Sequence, residues 1–258
     1  MYKHLHTRIF YITAIIVLLY LDWKYDLPWY SYLILYVCYL LTAFWGTYYM
    51  HFNYFLYSYC KGSDSKKQIA ITFDDGPMPD FTPQVLDILK AQNVPAAFFL
   101  IGKNIEGNEP LVQRIVSEGH LIGNHSYNHG FWFSLQRKKV MDKDLQLCDN
   151  AILKATGLKP TFFRPPYGVT NPWVAKVIKR RNYNSIGWSI RTYDTGAKSG
   201  EALLKKSLKN LSNGDVILFH DWGKYTVGIL SDFIKEARAR GFEIVRADTL
   251  FGLNPYNE

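Results

Sequence analysis

Seven side chains of this 258-residue chain could do chemistry together. Asp74 and Asp75 are adjacent in the stretch Ile71-Thr72-Phe73-Asp74-Asp75-Gly76-Pro77. His125 and His129 follow about fifty residues later in HSYNH, then Arg164 in RPPYG, Asp194, and His220 in LFH. Two imidazoles at i and i+4 face the same way on a helical turn and can share one cation. A carboxylate from another strand end, either Asp74 or Asp75, would complete a His-His-Asp set with positions left open for water, as catalytic metal sites require. The other carboxylate stays free for proton transfer. His220 has an imidazole suited to donating a proton near neutral pH.

The elements that must carry these groups show as a regular alternation from Gln68 onward. Apolar strand-like runs stand at Ile69–Phe73, Ala96–Ile101, Leu121–Asn124, Thr161–Arg164, Ser185–Ile190, Val216–His220 and Phe242–Arg246. Helix-period segments separate them at Pro83–Ala91, Pro110–Glu118, Leu135–Ala155, Pro172–Arg180, Glu201–Leu211 and Val227–Arg240, with proline early and glycine late in the clearest cases. Repeated strand–helix units predict an α/β fold with right-handed crossovers. Seven strands without a dinucleotide glycine fingerprint predict a (β/α) barrel, whose chemistry sits where strands end. Asp74, Asp75, His125, Arg164 and His220 all stand at such ends, and Asp194 lies just beyond one.

TFDDGP, HSYNH, RPPYG and LFH, in this order and spacing, resemble the polysaccharide deacetylase family, the NodB-like carbohydrate esterases. The resemblance covers roughly residues 67–250. It implies a distorted (β/α) barrel of about seven parallel strands and metal-dependent hydrolysis of N-acetyl groups on an amino-sugar glycan. By motif position it makes Asp74 the general base, with Asp75, His125 and His129 as ligands of one divalent ion, Zn²⁺ in the first place. Arg164 would orient the base, and Tyr167 would offer its backbone N–H to the oxyanion beside Pro165. His220 would be the general acid tuned by Asp194, and Leu218 would line the acetyl pocket. The segment GWSIRTYDT departs from the family pattern: Arg191 replaces an aspartate and Thr195 a tryptophan, which touches the sugar groove more than the reaction. A catalytically silent glycan-binding relative is the competing reading, and retention of the whole motif set argues against it.

The first sixty residues differ from the rest. They hold only Lys3, Arg8, Lys24, Asp22 and Asp26 as charged residues, although the chain has 30 Lys and Arg against 22 Asp and Glu. Ile9–Leu21 and Leu27–Met50 are apolar, the second being long enough to span a bilayer and edged with Trp and Tyr. No small-residue cleavage site follows the first. The expectation is a transmembrane hairpin in residues 1–60 before a catalytic domain in 61–258. If both segments span, Lys3 and Arg8 before the hairpin and Lys61, Lys66 and Lys67 after it favour both ends in the cytoplasm by the positive-inside rule; if only the second spans, the domain faces outward, towards wall glycan or exopolysaccharide. A cytoplasmic domain would meet a lipid-linked amino sugar rather than assembled wall glycan. A basic surface without a basic helix or Arg-rich run excludes sequence-specific nucleic-acid binding. Cys38, Cys60 and Cys148 form no CxxC pair and support neither a disulfide framework nor a thiolate site. His4, His6, His51 and His120 lack a partner motif and read as structural or interfacial. The Phe131-Trp132-Phe133 run reads as core packing or as a lip of the substrate cleft.

Overall fold

The computed structural model describes residues 3–257. Two helices come first, α1 (Lys3–Tyr25) and α2 (Tyr30–Tyr48). The turn between them is held by Asp22, whose carboxylate accepts from the Leu27 N–H at 2.8 Å and the Tyr32 hydroxyl at 2.7 Å. Tyr11 and Thr42 hydroxyls meet across the pair at 3.0 Å. Both helices are long and apolar enough to cross a membrane, and nearly all their large apolar side chains are exposed. The two helices form a helical hairpin, with α1 longer at both ends than its apolar run alone.

The unit that follows the hairpin is a curled, mostly parallel sheet wrapped by helices. Its strands are β1 (Ser58–Tyr59), β2 (Gln68–Asp74), β3 (Ala97–Leu100), β4 (Leu121–Asn124), β6 (Phe162–Phe163), β7 (Asn184–Ile186), β8 (Ile190–Arg191), β9 (Val216–His220) and β10 (Glu243–Ile244). Between and around them run α3 (Thr82–Ala91), α4 (Gly102–Ile105), α5 (Glu109–Ser117), α6 (Lys138–Thr156), α7 (Pro172–Arg180), α8 (Gly200–Leu208), α9 (Lys224–Ala239) and α10 (Ala247–Phe251). β5 (Lys159–Pro160) pairs antiparallel with β11 (Tyr256–Asn257) outside the main sheet. The hydrogen-bonded order is β1-β7-β6-β4-β3-β2-β9-β8, with β10 beside the start of β2. This is the expected distorted barrel.

One expectation needs correction. Ser185–Ile190 is not one strand: β7 closes on β6 and β1, whereas β8 pairs with β9 at the other end of the order. Only Gly187, Trp188 and Ser189 separate the two, so the sheet must curl until its ends lie within the reach of a few residues. Other helix limits shift by local causes. α6 starts at Lys138 because Gln136 is extended after a 3₁₀ turn at Phe133–Leu135, and it ends at Gly157, whose φ of 73° forms a left-handed cap. α7 begins at Pro172 under an Asn171 cap that accepts from the Trp173 and Val174 N–H groups.

β2 reads as a run of buried residues from Ile69 to Asp74 because helices cover one face and the sheet interior fills the other. Its outer face joins Val85, Leu86 and Leu89 of α3 and Phe233 and Ile234 of α9 in the main core. The sheet also begins inside the first sixty residues. Ser58 and Tyr59 pair in parallel with Ser185 and Ile186, the Ser58 and Ser185 hydroxyls meet at 2.9 Å, and Leu56 is buried beside Phe163 and Ile178.

Candidate active site

The C-terminal ends of β2, β4 and β9 bring the chemistry together. Register sets Asp74 beside His220 across β2 and β9. Asp75 follows with φ at 75°, a left-handed conformation for a side chain that gains from pointing away from Asp74. Gly76 comes next, and a side chain there would run into Asp221, so the tight turn after the two aspartates requires glycine.

Asp74 and Arg164 form a buried pair. Nη1 of Arg164 donates to Asp74 Oδ1 at 2.6 Å and to Thr72 Oγ1 at 2.9 Å. Nε donates to the Ile186 carbonyl at 3.0 Å and Nη2 to the Gly187 carbonyl at 2.8 Å. The guanidinium lies 4.1 Å from the centre of the Phe99 ring. Burial pulls the Arg164 pKa down, and Asp74 works against that pull. A fully buried arginine tolerates its position because every side of the guanidinium has a partner.

Asp75 is the centre of a second cluster. Its Oδ1 lies 3.6 Å from His125 Nε2 and 3.4 Å from His129 Nε2. That oxygen is buried and has no hydrogen-bond partner among the described residues, while Oδ2 accepts from Trp222 Nε1 at 3.1 Å. Burial opposes ionisation of Asp75, but the charges of His125, His129 and His220 and the Trp222 bond outweigh it and hold the pKa below the usual carboxylate value. His125 turns Nδ1 to the Arg164 carbonyl at 2.7 Å, which leaves the Nε2 lone pair directed at Asp75. Burial, helped by the charge of His125, pushes His129 down to about 4 against the pull of Asp75 and Asp74, so its imidazole is neutral. An orphaned carboxylate oxygen facing two neutral-capable imidazoles, all three ligand atoms within 4.8 Å, is a donor set that fits a divalent cation.

His125 and His129 do not lie on a helical turn as their spacing suggests. They bracket an irregular loop with Ser126 at φ 66° and His129 at φ 49°. Two residues missed by the sequence reading hold it. Asp144 of α6 accepts from the Tyr127 N–H at 2.8 Å and Asn128 Nδ2 at 2.6 Å. Asn124 Oδ1 accepts from the Ser126 N–H at 2.8 Å, and its amide donates to Asp149, itself bonded to Tyr183. A buried aspartate on a helix is the only trace of this support in the sequence.

His220 sits on the opposite side of Asp75, its Nε2 3.9 Å from Oδ2. Asp194 accepts from its ring Nδ1 at 2.8 Å and from its backbone N–H at 2.6 Å, and Thr226 Oγ1 secures the same carboxylate at 2.7 Å. Burial would lower the His220 pKa, but the Asp194 bond and charge, with Asp74 and Asp75, raise it above the ordinary histidine value. Burial likewise opposes Asp194, yet its bonds to His220 and Thr226 keep it low.

The remaining predicted residues surround this centre. Pro165 and Pro166 are buried and lead into Tyr167, which has φ 59° and a half-exposed ring 4.8 Å from that of His129. Leu218 is buried on β9, two residues before His220. Phe133 packs in the core while Phe131 and Trp132 are exposed, and Phe131 lies 5.7 Å from the Tyr167 ring. His120 is structural: the Ala96 N–H donates to its Nδ1 at 3.1 Å, and burial pushes it down to about 4. The three cysteines are unpaired by disulfides.

Comparison with known proteins agrees with this geometry. The family model described as Polysaccharide deacetylase matches residues 61–186. A peptidoglycan-N-acetylglucosamine deacetylase of Bacillus cereus is 35% identical over 192 residues, covering 72% of this chain and 89% of the relative. The chain belongs to the polysaccharide deacetylase family. Within the family it is also 37% identical over 188 residues to the peptidoglycan-N-acetylglucosamine deacetylase PgdA of Listeria monocytogenes. That match covers 73% of this chain but 40% of the Listeria protein, so the chain spans well under half of that relative's length. Among solved structures, the Bc1960 peptidoglycan N-acetylglucosamine deacetylase in complex with 4-naphthalen-1-yl-N-oxidanyl-benzamide superposes with a TM-score of 0.74 at 32% identity. It covers 77% of this chain and 94% of its own.

Proposed function

We propose that this family member is a membrane-anchored, metal-dependent hydrolase that removes N-acetyl groups from an amino-sugar glycan. The observation that carries the reading is the unpartnered Asp75 Oδ1 facing His125 and His129, with Asp74–Arg164 on one flank and His220–Asp194 on the other. Relatives whose names specify N-acetylglucosamine and N-acetylmuramic acid deacetylation support the same chemistry.

Asp75, His125 and His129 would hold the cation, Zn²⁺ being the first candidate for a His-His-carboxylate set. Such an ion supplies Lewis-acid polarisation of an amide carbonyl, a poor electrophile on its own, and eases deprotonation of water. Arg164 fixes Asp74 Oδ1, leaving Oδ2 on the side of His125, 3.7 Å from Nε2. From there Asp74 takes the proton of the attacking water as its oxygen bonds to the acyl carbon. The Tyr167 backbone N–H, in its left-handed turn beside Pro165, stabilises the resulting oxyanion. His220, whose pKa Asp194 raises, delivers a proton to the nitrogen as the C–N bond breaks, which gives acetate and a free amine. Leu218 forms an apolar floor for the acetyl methyl.

The two apolar helices, Lys3–Tyr25 and Tyr30–Tyr48, would act as the anchor, with membrane lipid as their partner. If both helices span, the lysine and arginine distribution favours the cytoplasmic side for both ends of the hairpin and the unit that follows; if only the second spans, that unit faces outward. The purified full chain, loaded with Zn²⁺, should release acetate from N-acetylated chitooligosaccharides and lose that activity on chelation. Full activity after complete removal of divalent ions would refute the metal-dependent reading.

A further inference from the structure

The hairpin meets the rest of the molecule at its base. Among the described residues α1 buries none and α2 only Gly46, under Tyr54, so the pair projects from the curled sheet instead of lying on it. The base is bonded to the loops of the rim. In the last turn of α2 the Thr47 carbonyl accepts from the Thr170 N–H at 3.0 Å. One residue on, Asn171 Nδ2 donates to the Ser134 carbonyl at 2.5 Å. The segment 131–135 is therefore held beside the end of a helix apolar enough to cross a membrane. It also adjoins the candidate metal centre. Phe131 stands two residues after His129, and the Tyr167 ring lies 4.8 Å from His129 and 5.7 Å from Phe131.

Most of this segment is not core. Phe133 turns inward among Met141 and Phe163, but Phe131, Trp132 and Leu135 are 68%, 64% and 61% exposed. Three large apolar side chains within five residues, all in solvent, mark a contact surface. Arg137, Lys138 and Lys139 follow and are exposed too. Arg137 is the N-cap of α6, and the two lysines open it. A helix N-terminus carries partial positive charge and favours acidic side chains, yet the first turn of α6 has none. Helix electrostatics therefore opposes three cations at this place, whereas an external anionic surface offsets them. Aromatic rings followed by basic side chains are the composition that sits at a bilayer's headgroup level.

We propose that residues 131–139 form a second membrane contact outside the hairpin. Phe131, Trp132 and Leu135 seat in the headgroup region of the bilayer that holds the helices, and Arg137, Lys138 and Lys139 bind its anionic phospholipid. The occupant is lipid because the segment is continuous with the base of the hairpin and its charge complements an anionic leaflet. The contact fixes which way the rim faces. His129 and Tyr167 lie directly behind it, so the candidate site is held at the membrane surface instead of swinging on a tether. This rests on the reading of α1 and α2 as the anchor.

The test is fluorescence quenching by nitroxide-labelled lipid, with the full chain in vesicles of phosphatidylglycerol and phosphatidylcholine. Cys38, exposed on α2, takes a thiol-reactive dye and reports on the hairpin, while Cys60 and Cys148 are buried. Cys38→Ser with Trp132→Cys moves the dye to the second contact. Quenching is expected at both sites, by deep nitroxides at 38 and shallow ones at 132. Each cation near an anionic surface shifts docking about fivefold. Arg137→Gln, Lys138→Gln and Lys139→Gln together should therefore lower the docked-to-free ratio at 132 roughly 100-fold and leave 38 unchanged. Quenching at 38 with none at 132, or equal quenching at 132 in pure phosphatidylcholine, would overturn the proposal and leave the anchor standing. A dye at 132 that responds to N-acetylated chitotetraose and not to lipid would overturn it in favour of the sugar groove. Quenching at neither site would overturn the anchor as well.

Discussion

The hairpin and the catalytic rim treat solvent in opposite ways. In α1 and α2 almost every large apolar side chain is exposed and charge is confined to the ends. At the rim, Asp74, His125 and Arg164 are almost wholly buried, each against a named partner. The first arrangement answers to a medium, the second to particular atoms. Substitution should therefore be graded in the hairpin by hydrophobicity, and at the rim by which partner is left behind.

The sharpest way to expose this contrast is to remove a ligand. Asp75→Ala or His125→Ala should cut acetate release by roughly 10³-fold or more and abolish stoichiometric metal, read by elemental analysis of the purified chain. Leu33→Ala in the hairpin should alter neither. Next in size, Arg164→Met leaves Asp74 buried without its cation, and should cost about 3–5 kcal/mol in denaturant unfolding. The double variant Arg164→Met with Asp74→Leu should recover much of that, and a double variant no better than the single would break the argument from partners. Leu56→Ala tests where the two regions meet. Because Leu56 is buried beside Phe163, it should cost about 2–3 kcal/mol, as a barrel residue does, although it lies within the first sixty residues.

The smallest effect concerns pH. In the proposed mechanism His220 acts as the acid and must be protonated, and Asp194 is the strongest influence raising its pKa. Asp194→Asn removes that influence, so the alkaline limb of the kcat profile should move to lower pH. A bound cation would offset the carboxylate of Asp75 but not that of Asp194, which keeps the sign secure. An unmoved alkaline limb would assign it to another group.

Much of this was legible from residue order. Strand ends were found because β2, β4 and β9 are short apolar runs that stop at a polar residue, and barrel topology sends those stops to one rim. The hairpin showed through absence of charge. What escaped the sequence depended on contacts distant in the chain. The His125–His129 loop is shaped by Asp144 and Asn124 rather than by helical periodicity. Ser185–Ile190 looks continuous because nothing in its composition marks that its halves serve opposite ends of the sheet. β1 is two residues inside an aromatic run, too short to carry an alternation.

The three-residue bridge between β7 and β8 has one more consequence. It joins the two ends of the curled sheet, and the carbonyls of Ile186 and Gly187 at its start receive Arg164, which in turn fixes Asp74. The curl of the sheet and the placement of Asp74 thus depend on the same short segment. Displacing that segment would remove two of the acceptors that hold the Arg164 guanidinium, and with them the support for the Asp74 carboxylate.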